Sequence, residues 1–298
     1  MIAGTTDVAL GKVDWSYVSR PFQALGHRFV IRATEPGIGS FFEGIYDSLP
    51  TAQAPATIYS IVDSGSDPTS RRLYVDGRLV GSIDRLSWLV RYLTWHVNHE
   101  VIGRSSAYVL IHAAMASRDG IGVLLPGAPE AGKTTLAAGL VRAGFQYLTD
   151  EAAAIDPTTL EVEPYPKPLS IDPGSWEILA DLAPHQDELS KGFHDGQWQV
   201  RPDSIRSEAV AGRIAVSVIV FPSFQKGRAT TFEPVKGSEA LLRLVGQTFR
   251  FQEDGRRNFQ VLGRMLRRIP SFELVSGDLD ASCAAVLAAV DELRMEGM

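Results

Sequence analysis

The sequence predicts an α/β fold that contains a phosphate-binding loop (P-loop), preceded by a smaller β-rich domain. Three observations carry the prediction. From Gly127 to Thr134 the chain reads GAPEAGKT, which fits G-x-x-x-x-G-K-[ST]. After about Val101 an apolar strand, this loop, a helical segment and a further strand follow one another, which is the order of α/β construction. From about Phe29 to Ser82 the texture differs, with short alternating apolar and polar stretches separated by Gly, Pro, Ser and Asp. The expected domains are residues 1–100, a β-rich module with a linking helix, and residues 101–298, the larger α/β domain.

Each element has its own warrant. RFVIRA, TIYSIVD and RRLYVDGRLVGS alternate at strand period, and Asp76-Gly77 supplies the positive φ angles of a tight hairpin turn. Ile83 to Glu100 places Leu86, Val90, Leu93 and Val97 on one helical face. His96 and His99 lie there at three-residue spacing, with no carboxylate placed to complete a metal set, so they read as helix side chains. Tyr108–Ala114 and Ile121–Leu125 read as strands, Lys133–Arg142 as a helix stopped by Gly144, and Phe145–Leu148 as a strand. Asp150 to Pro164 reads as a hairpin turning near Asp156-Pro157, and Ile214–Phe221 as a buried strand. The C-terminal part is mostly helical, with Ser238 and Asp280 as N-caps.

Composition narrows the function classes. A chain of 298 residues with 45% hydrophobic and 21% charged residues buries a real core. Its net charge of −6 disfavours a nucleic-acid partner. A single cysteine, Cys283, excludes an internal disulfide and a Cys-based zinc site, and its Ala-rich setting reads as helix interior. No basic region followed by an apolar core and a cleavage site opens the chain. The longest apolar run, Ile214 to Phe221, is far short of the ~20 residues of a membrane span. The expected location is the cytoplasm, away from membranes.

The loop carries the chemistry. Backbone N–H groups of Gly127, Ala128, Glu130, Ala131, Gly132, Lys133, Thr134 and Thr135 would line a phosphate cradle, to which Pro129 brings no donor. The following helix presents its positive end, Lys133 reaches the outer phosphates, and Thr134 would hold Mg²⁺. Asp150-Glu151 follow at the carboxyl end of a strand beside the loop, where α/β sheets bind ligands. Read alone, they are equally a turn into the next hairpin, and His112 in YVLIHAA is an ordinary core histidine.

The stretch His112-Ala113-Ala114, then GVLLPG, the loop, Arg142-Ala143-Gly144 and Tyr147-Leu148-Thr149-Asp150-Glu151 resembles the catalytic domain of HPr kinase/phosphorylase and the wider HPr-kinase-like serine kinases, which share a PEP carboxykinase-like fold. The close match covers about a third of the assigned catalytic domain. The resemblance implies ATP and Mg²⁺ as cofactors and Asp150 as the general base toward a serine hydroxyl. It also implies Glu151 helping Thr134 and Asp150 with the metal, and His112 close to Asp150 and supporting it. It further implies a homo-oligomer.

Three departures qualify the likeness. Pro129-Glu130 stand where the family carries small residues, and Asp-Glu replaces a pair of aspartates. PYPKPLS, residues 164–170, stands where the family has its Glu-Ile-Arg-Gly type motif. That segment resembles the shorter HPr-kinase-like proteins, among them kinases of lasso precursor peptides. Lys167 there is either a solvated lysine or one facing phosphates or acceptor. His194-Asp195 in FHDGQW reads as a surface loop or substrate lid. Arg250, Arg256, Arg257, Arg264, Arg267 and Arg268 read as a solvated helix face, or as a binder of acidic peptide or a charge supplied in trans. The expected activity is transfer of the ATP γ-phosphate to a serine of a peptide or small protein. The rivals are a small-molecule alcohol kinase and a nucleotide-sensing module without catalysis.

Overall fold

In the computed structural model, residues 13–63, 70–184 and 188–296 are described. Their contacts divide the chain into two compact units. The first comprises the described residues of Met1–Arg104 and Pro184–Gln199, and the second those of Ser105–Ala183 and Val200–Met298. The expected boundary at residue 100 thus falls one helical turn early, because the linking helix runs on to Arg104. Residues 184–199, assigned from sequence to the second domain, cluster with the first.

The first unit runs β1 (Tyr17–Val18), β2 (Phe22–Ala24), β3 (His27–Ala33), α1 (Pro36–Ile45), β4 (Thr57–Asp63), β5 (Arg71–Val75), β6 (Arg78–Ile83) and α2 (Leu86–Arg104). Its sheet has the order β1-β3-β4-β5-β6, with β2 paired to β3. The β5–β6 hairpin turns at Asp76 (φ 49°) and Gly77 (φ 79°), as the dipeptide predicts. Helix α1 is a correction to the all-strand reading of this region. Its three glycines weaken the local helix signal, but Pro36 starts it and Ile38, Phe42 and Ile45 bury one face. Phe22, Phe29, Tyr46 and Tyr59 form an aromatic core around His27, whose pKa burial pushes down to about 4. The Tyr59 hydroxyl lies 3.3 Å from His27 Nε2 and 3.2 Å from His96 Nδ1, so His96 is spent on the core.

The second unit begins with β7 (Val109–Arg118), β8 (Ile121–Pro126), α3 (Lys133–Arg142), β9 (Gln146–Thr149), β10 (Ala152–Ile155), β11 (Glu161–Glu163) and β12 (Leu169–Ile171). The chain then gives α4 (Glu188–His194) and the first two residues of β13 (Trp198–Val200) to the first unit, and the second unit resumes with α5 (Pro202–Ile205), β14 (Ile214–Phe224), β15 (Thr231–Pro234), α6 (Gly237–Gln247), α7 (Gly255–Leu266), β16 (Ser271–Ser276) and α8 (Leu279–Glu296). The main sheet is mixed, in the order β11-β10-β7-β8-β14-β16-β15 with β9 on β7. β8, β14 and β16 are parallel, while the pairings of β7 with β8, β9 and β10 are antiparallel. β11 also pairs with β14, which closes five strands into a ring.

Helix α3 occupies the predicted residues. Its Gly139 sits so close to α8 that a Cβ there would lie 2.8 Å from Cys283 Sγ. Cys283 is buried as predicted, and burial pushes its thiol up to about 12. Asp156 turns the β10–β11 hairpin by accepting from the N–H groups of Thr158 and Thr159. The predicted N-caps differ: no side chain caps α6 at Ser238, and Asp278 rather than Asp280 accepts from Ala281 N–H at the head of α8. FHDGQW is the end of α4 and a turn. Phe193 is buried and stacks on Phe41 at 3.8 Å, and His194 Nδ1 accepts from Gln199 N–H at 3.1 Å, so the expected surface loop is a docked element of the first unit.

Candidate active site

Strand β7 decides where the loop leaves the sheet. Ala113 pairs with Pro126, the last residue of β8, and Gly127 N–H donates to the His112 carbonyl at 3.4 Å. Ala131 N–H closes a turn on the Ala128 carbonyl at 3.3 Å, and α3 starts at Lys133. Gly132 takes φ 89°, with Phe224 Cβ 3.3 Å from where a Cβ would stand, so this position needs glycine. Glu130 also takes a left-handed conformation, φ 66°, and is exposed. A glutamate there holds backbone strain and a negative charge within the loop.

Lys133 is buried, with Nζ 2.7 Å from the Gly127 carbonyl and 2.8 Å from that of Ala128. Burial holds its pKa below the usual lysine value, and the charges of Glu151 and Asp150 oppose that shift. The ammonium is thus held by the loop's own carbonyls, inside the turn that the motif wraps around a phosphate. The first N–H groups of α3 lack intrahelical partners and are available to an anion. Thr135 is committed elsewhere, its hydroxyl 2.6 Å from that of Ser175.

Next to the loop, the turn from β9 to β10 presents Asp150 and Glu151. The Thr149 hydroxyl makes this turn by accepting from the N–H groups of Glu151 and Ala152. Asp150 is almost fully occupied. Its Oδ2 accepts from the Thr134 hydroxyl at 3.0 Å, and its Oδ1 from the Tyr147 hydroxyl at 2.8 Å. Lys167 Nζ lies 2.7 Å from the same Oδ1, with both side chains no more than 4% exposed. Lys167 also donates to the Pro168 carbonyl at 3.0 Å. Its own carbonyl lies 3.3 Å from the Tyr147 hydroxyl. The proline-rich path therefore delivers a lysine to Asp150, which replaces the reading of Lys167 as solvated.

Glu151 is different. No hydrogen bond or ion pair reaches its carboxylate among the described residues. Burial pushes its carboxyl above the ordinary range and Asp150 adds to this, while Lys167 and Lys133 offset it. His112 pairs with Ala152 across the β7–β10 ladder, and its side chain bonds with Gln247 and lies near Phe249, ring centroids 5.7 Å apart. Burial, then the Lys133 charge, pushes its pKa down to about 4, so it is neutral at pH 7. Asp150 acts on His112 through its charge, and the groups that hold the Asp150 carboxylate are Thr134, Tyr147 and Lys167. The sequence reading missed Tyr147 and left Lys167 open. The signal for Tyr147 was a tyrosine in an otherwise buried strand, three residues before a carboxylate, where its hydroxyl needs a polar partner.

No group of three or more His, Cys, Asp or Glu side chains suited to a metal occurs among the described residues. Thr134 Oγ1 and Asp150 Oδ2 are neighbouring hard oxygens, a donor set that fits Mg²⁺, which otherwise takes phosphate oxygens and water. Of the six C-terminal arginines, Arg256, Arg267 and Arg268 are exposed, as a solvated face predicts, and the other three are braces. Arg257 donates to the Ser106 carbonyl at 2.9 Å and Arg264 to that of Pro157, while Arg250 pairs with Glu253 at 3.5 Å.

Fold and site define a mixed α/β protein in which a strand–loop–helix of the P-loop pattern faces a carboxylate pair at the end of a nearby strand. No family model matches the chain, and no curated protein is similar to it. Among solved structures, the HPr(Ser) kinase/phosphatase from Coxiella burnetii is similar over 63% of this chain and 98% of its own, at 16% identity and a TM-score of 0.34.

Proposed function

We propose that the protein is an ATP-dependent kinase that transfers the γ-phosphate to a hydroxyl, that of a serine in a peptide or small protein. The observation that supports this most is the convergence of Lys133 in the loop, Thr134 on Asp150, and an unengaged carboxylate, Glu151, beside them. The loop N–H groups and Lys133 bind the phosphates and hold the transferred group in line. Thr134 and Asp150 would hold Mg²⁺, whose charge when bound offsets that of the phosphates. Glu151 accepts the hydroxyl proton as the oxygen bonds to the γ-phosphorus and ADP leaves.

This divides the carboxylates differently from the resemblance, which makes Asp150 the base. Asp150 Oδ1 already accepts from Tyr147 and Lys167 and Oδ2 from Thr134, so the capacity left on Oδ2 suits a metal rather than a substrate proton, whereas Glu151 has both oxygens unengaged. A second reading, nucleotide sensing without transfer, draws on Glu130 and Pro129 in the loop. Calorimetry with ATP, with and without Mg²⁺, tests the loop itself. Wild type is expected to bind in a Mg²⁺-dependent way and Lys133→Ala to lose that binding. Absence of binding to folded wild type would rule out the kinase.

A further inference from the structure

We infer that the outer edge of β6 and the neighbouring face of α2 form a docking surface for an extended acidic peptide segment. Strand β6 pairs only with β5 among the described residues, and none of its own residues is buried. It therefore offers backbone N–H and C=O groups to an added strand. Beside it, α2 turns Leu89, Leu93 and Val97 into the core and leaves Trp88, Arg91 and Trp95 exposed on one stripe, with exposed Arg85 just before the helix. Trp88 and Trp95 are 64% and 56% exposed, and Leu79 on β6 is 51% exposed.

Tyr92 joins the two elements. Its hydroxyl donates to the Val80 carbonyl at 3.3 Å and its ring stacks on Trp95, centroids 5.9 Å apart. Large apolar plates lie next to an open strand edge, interleaved with guanidinium groups. The charge selects the occupant. Arg78, Arg85 and Arg91 are exposed, and no ion pair engages them among the described residues. Asp76 and Asp84 are the acidic side chains exposed along this stretch, and Asp76 Oδ1 is already accepting from Ile58 N–H at 2.7 Å, so the three arginines leave the surface locally positive on a chain of net charge −6. An extended segment alternating acidic and apolar side chains satisfies both the arginines and the indoles.

That this segment belongs to the phosphate acceptor rests on the kinase reading, but the docking is measurable without nucleotide. The probe is a short fluorescein-labelled peptide of alternating Glu and Leu, titrated into the full chain and followed by anisotropy. Arg91→Glu and Trp95→Ala are each expected to weaken binding about tenfold or more. Methylating alternate backbone nitrogens of the peptide is expected to abolish binding, and Lys133→Ala to leave it unchanged. Circular dichroism melts of both variants serve as the control for folding. Equal binding by the folded variants and wild type would overturn the inference. So would loss of binding in Arg267→Glu instead, which would place the peptide on α7. Dissociation of a wild-type dimer by Trp95→Ala in sedimentation would assign the face to a second copy and equally overturn it.

Discussion

Lys167→Met is expected to destabilise the P-loop unit by about 3–5 kcal/mol, because it leaves the Asp150 carboxylate buried without a counter-charge. Both partners are essentially inaccessible and 2.7 Å apart, so water cannot take over from the missing ammonium. Tyr147 and Thr134 continue to donate, but neutral hydroxyls do not offset a buried charge. The double variant Lys167→Met with Asp150→Asn removes that charge and is expected to recover most of the loss. Urea denaturation followed by circular dichroism measures both. A single variant as stable as wild type would show that Lys167 and Asp150 do not form a buried pair.

The same pairing underlies the different roles proposed for the two carboxylates. Glu151→Gln is expected to keep the fold and the nucleotide affinity while lowering turnover by about 10²- to 10⁴-fold, the usual cost of losing a positioned base. Asp150→Asn is expected to cost stability as well, since it strands the Lys167 ammonium, and to weaken Mg²⁺-dependent ATP binding. The pH profile adds a sign. A base works deprotonated, and the Glu151 carboxyl is held above the ordinary range by burial. The acid limb of turnover should therefore lie at higher pH than for a solvent-exposed glutamate, and Glu151→Gln should abolish that limb. Full turnover in Glu151→Gln together with a folded, inactive Asp150→Asn would restore Asp150 as the base.

What the sequence made legible was local. The loop motif, the helix after it and the Asp-Gly hairpin are set by residues adjacent in the chain, through glycine conformations and short-range periodicity. Helix α1 was hidden because its apolar face is diluted by Gly37, Gly39 and Gly44, and only burial of Phe42 and its neighbours makes it a helix. The partners of Asp150 were hidden for another reason. Tyr147 is near in sequence but Lys167 is 17 residues on (167 − 150), and only the rigid path of Pro164, Pro166 and Pro168 brings it back. The docking of Phe193 on Phe41 spans a far longer separation and left no local pattern to read.

In the proposed reaction the site moves a phosphoryl group from ATP to a hydroxyl. Mass spectrometry of serine-containing peptides and of a pool of small-molecule alcohols, after incubation with the protein, ATP and Mg²⁺, tests it most directly. Phosphoserine is expected on a peptide, formed by wild type and absent with Lys133→Ala. ATP bound yet left intact, with no phosphorylated product in either pool, would contradict it.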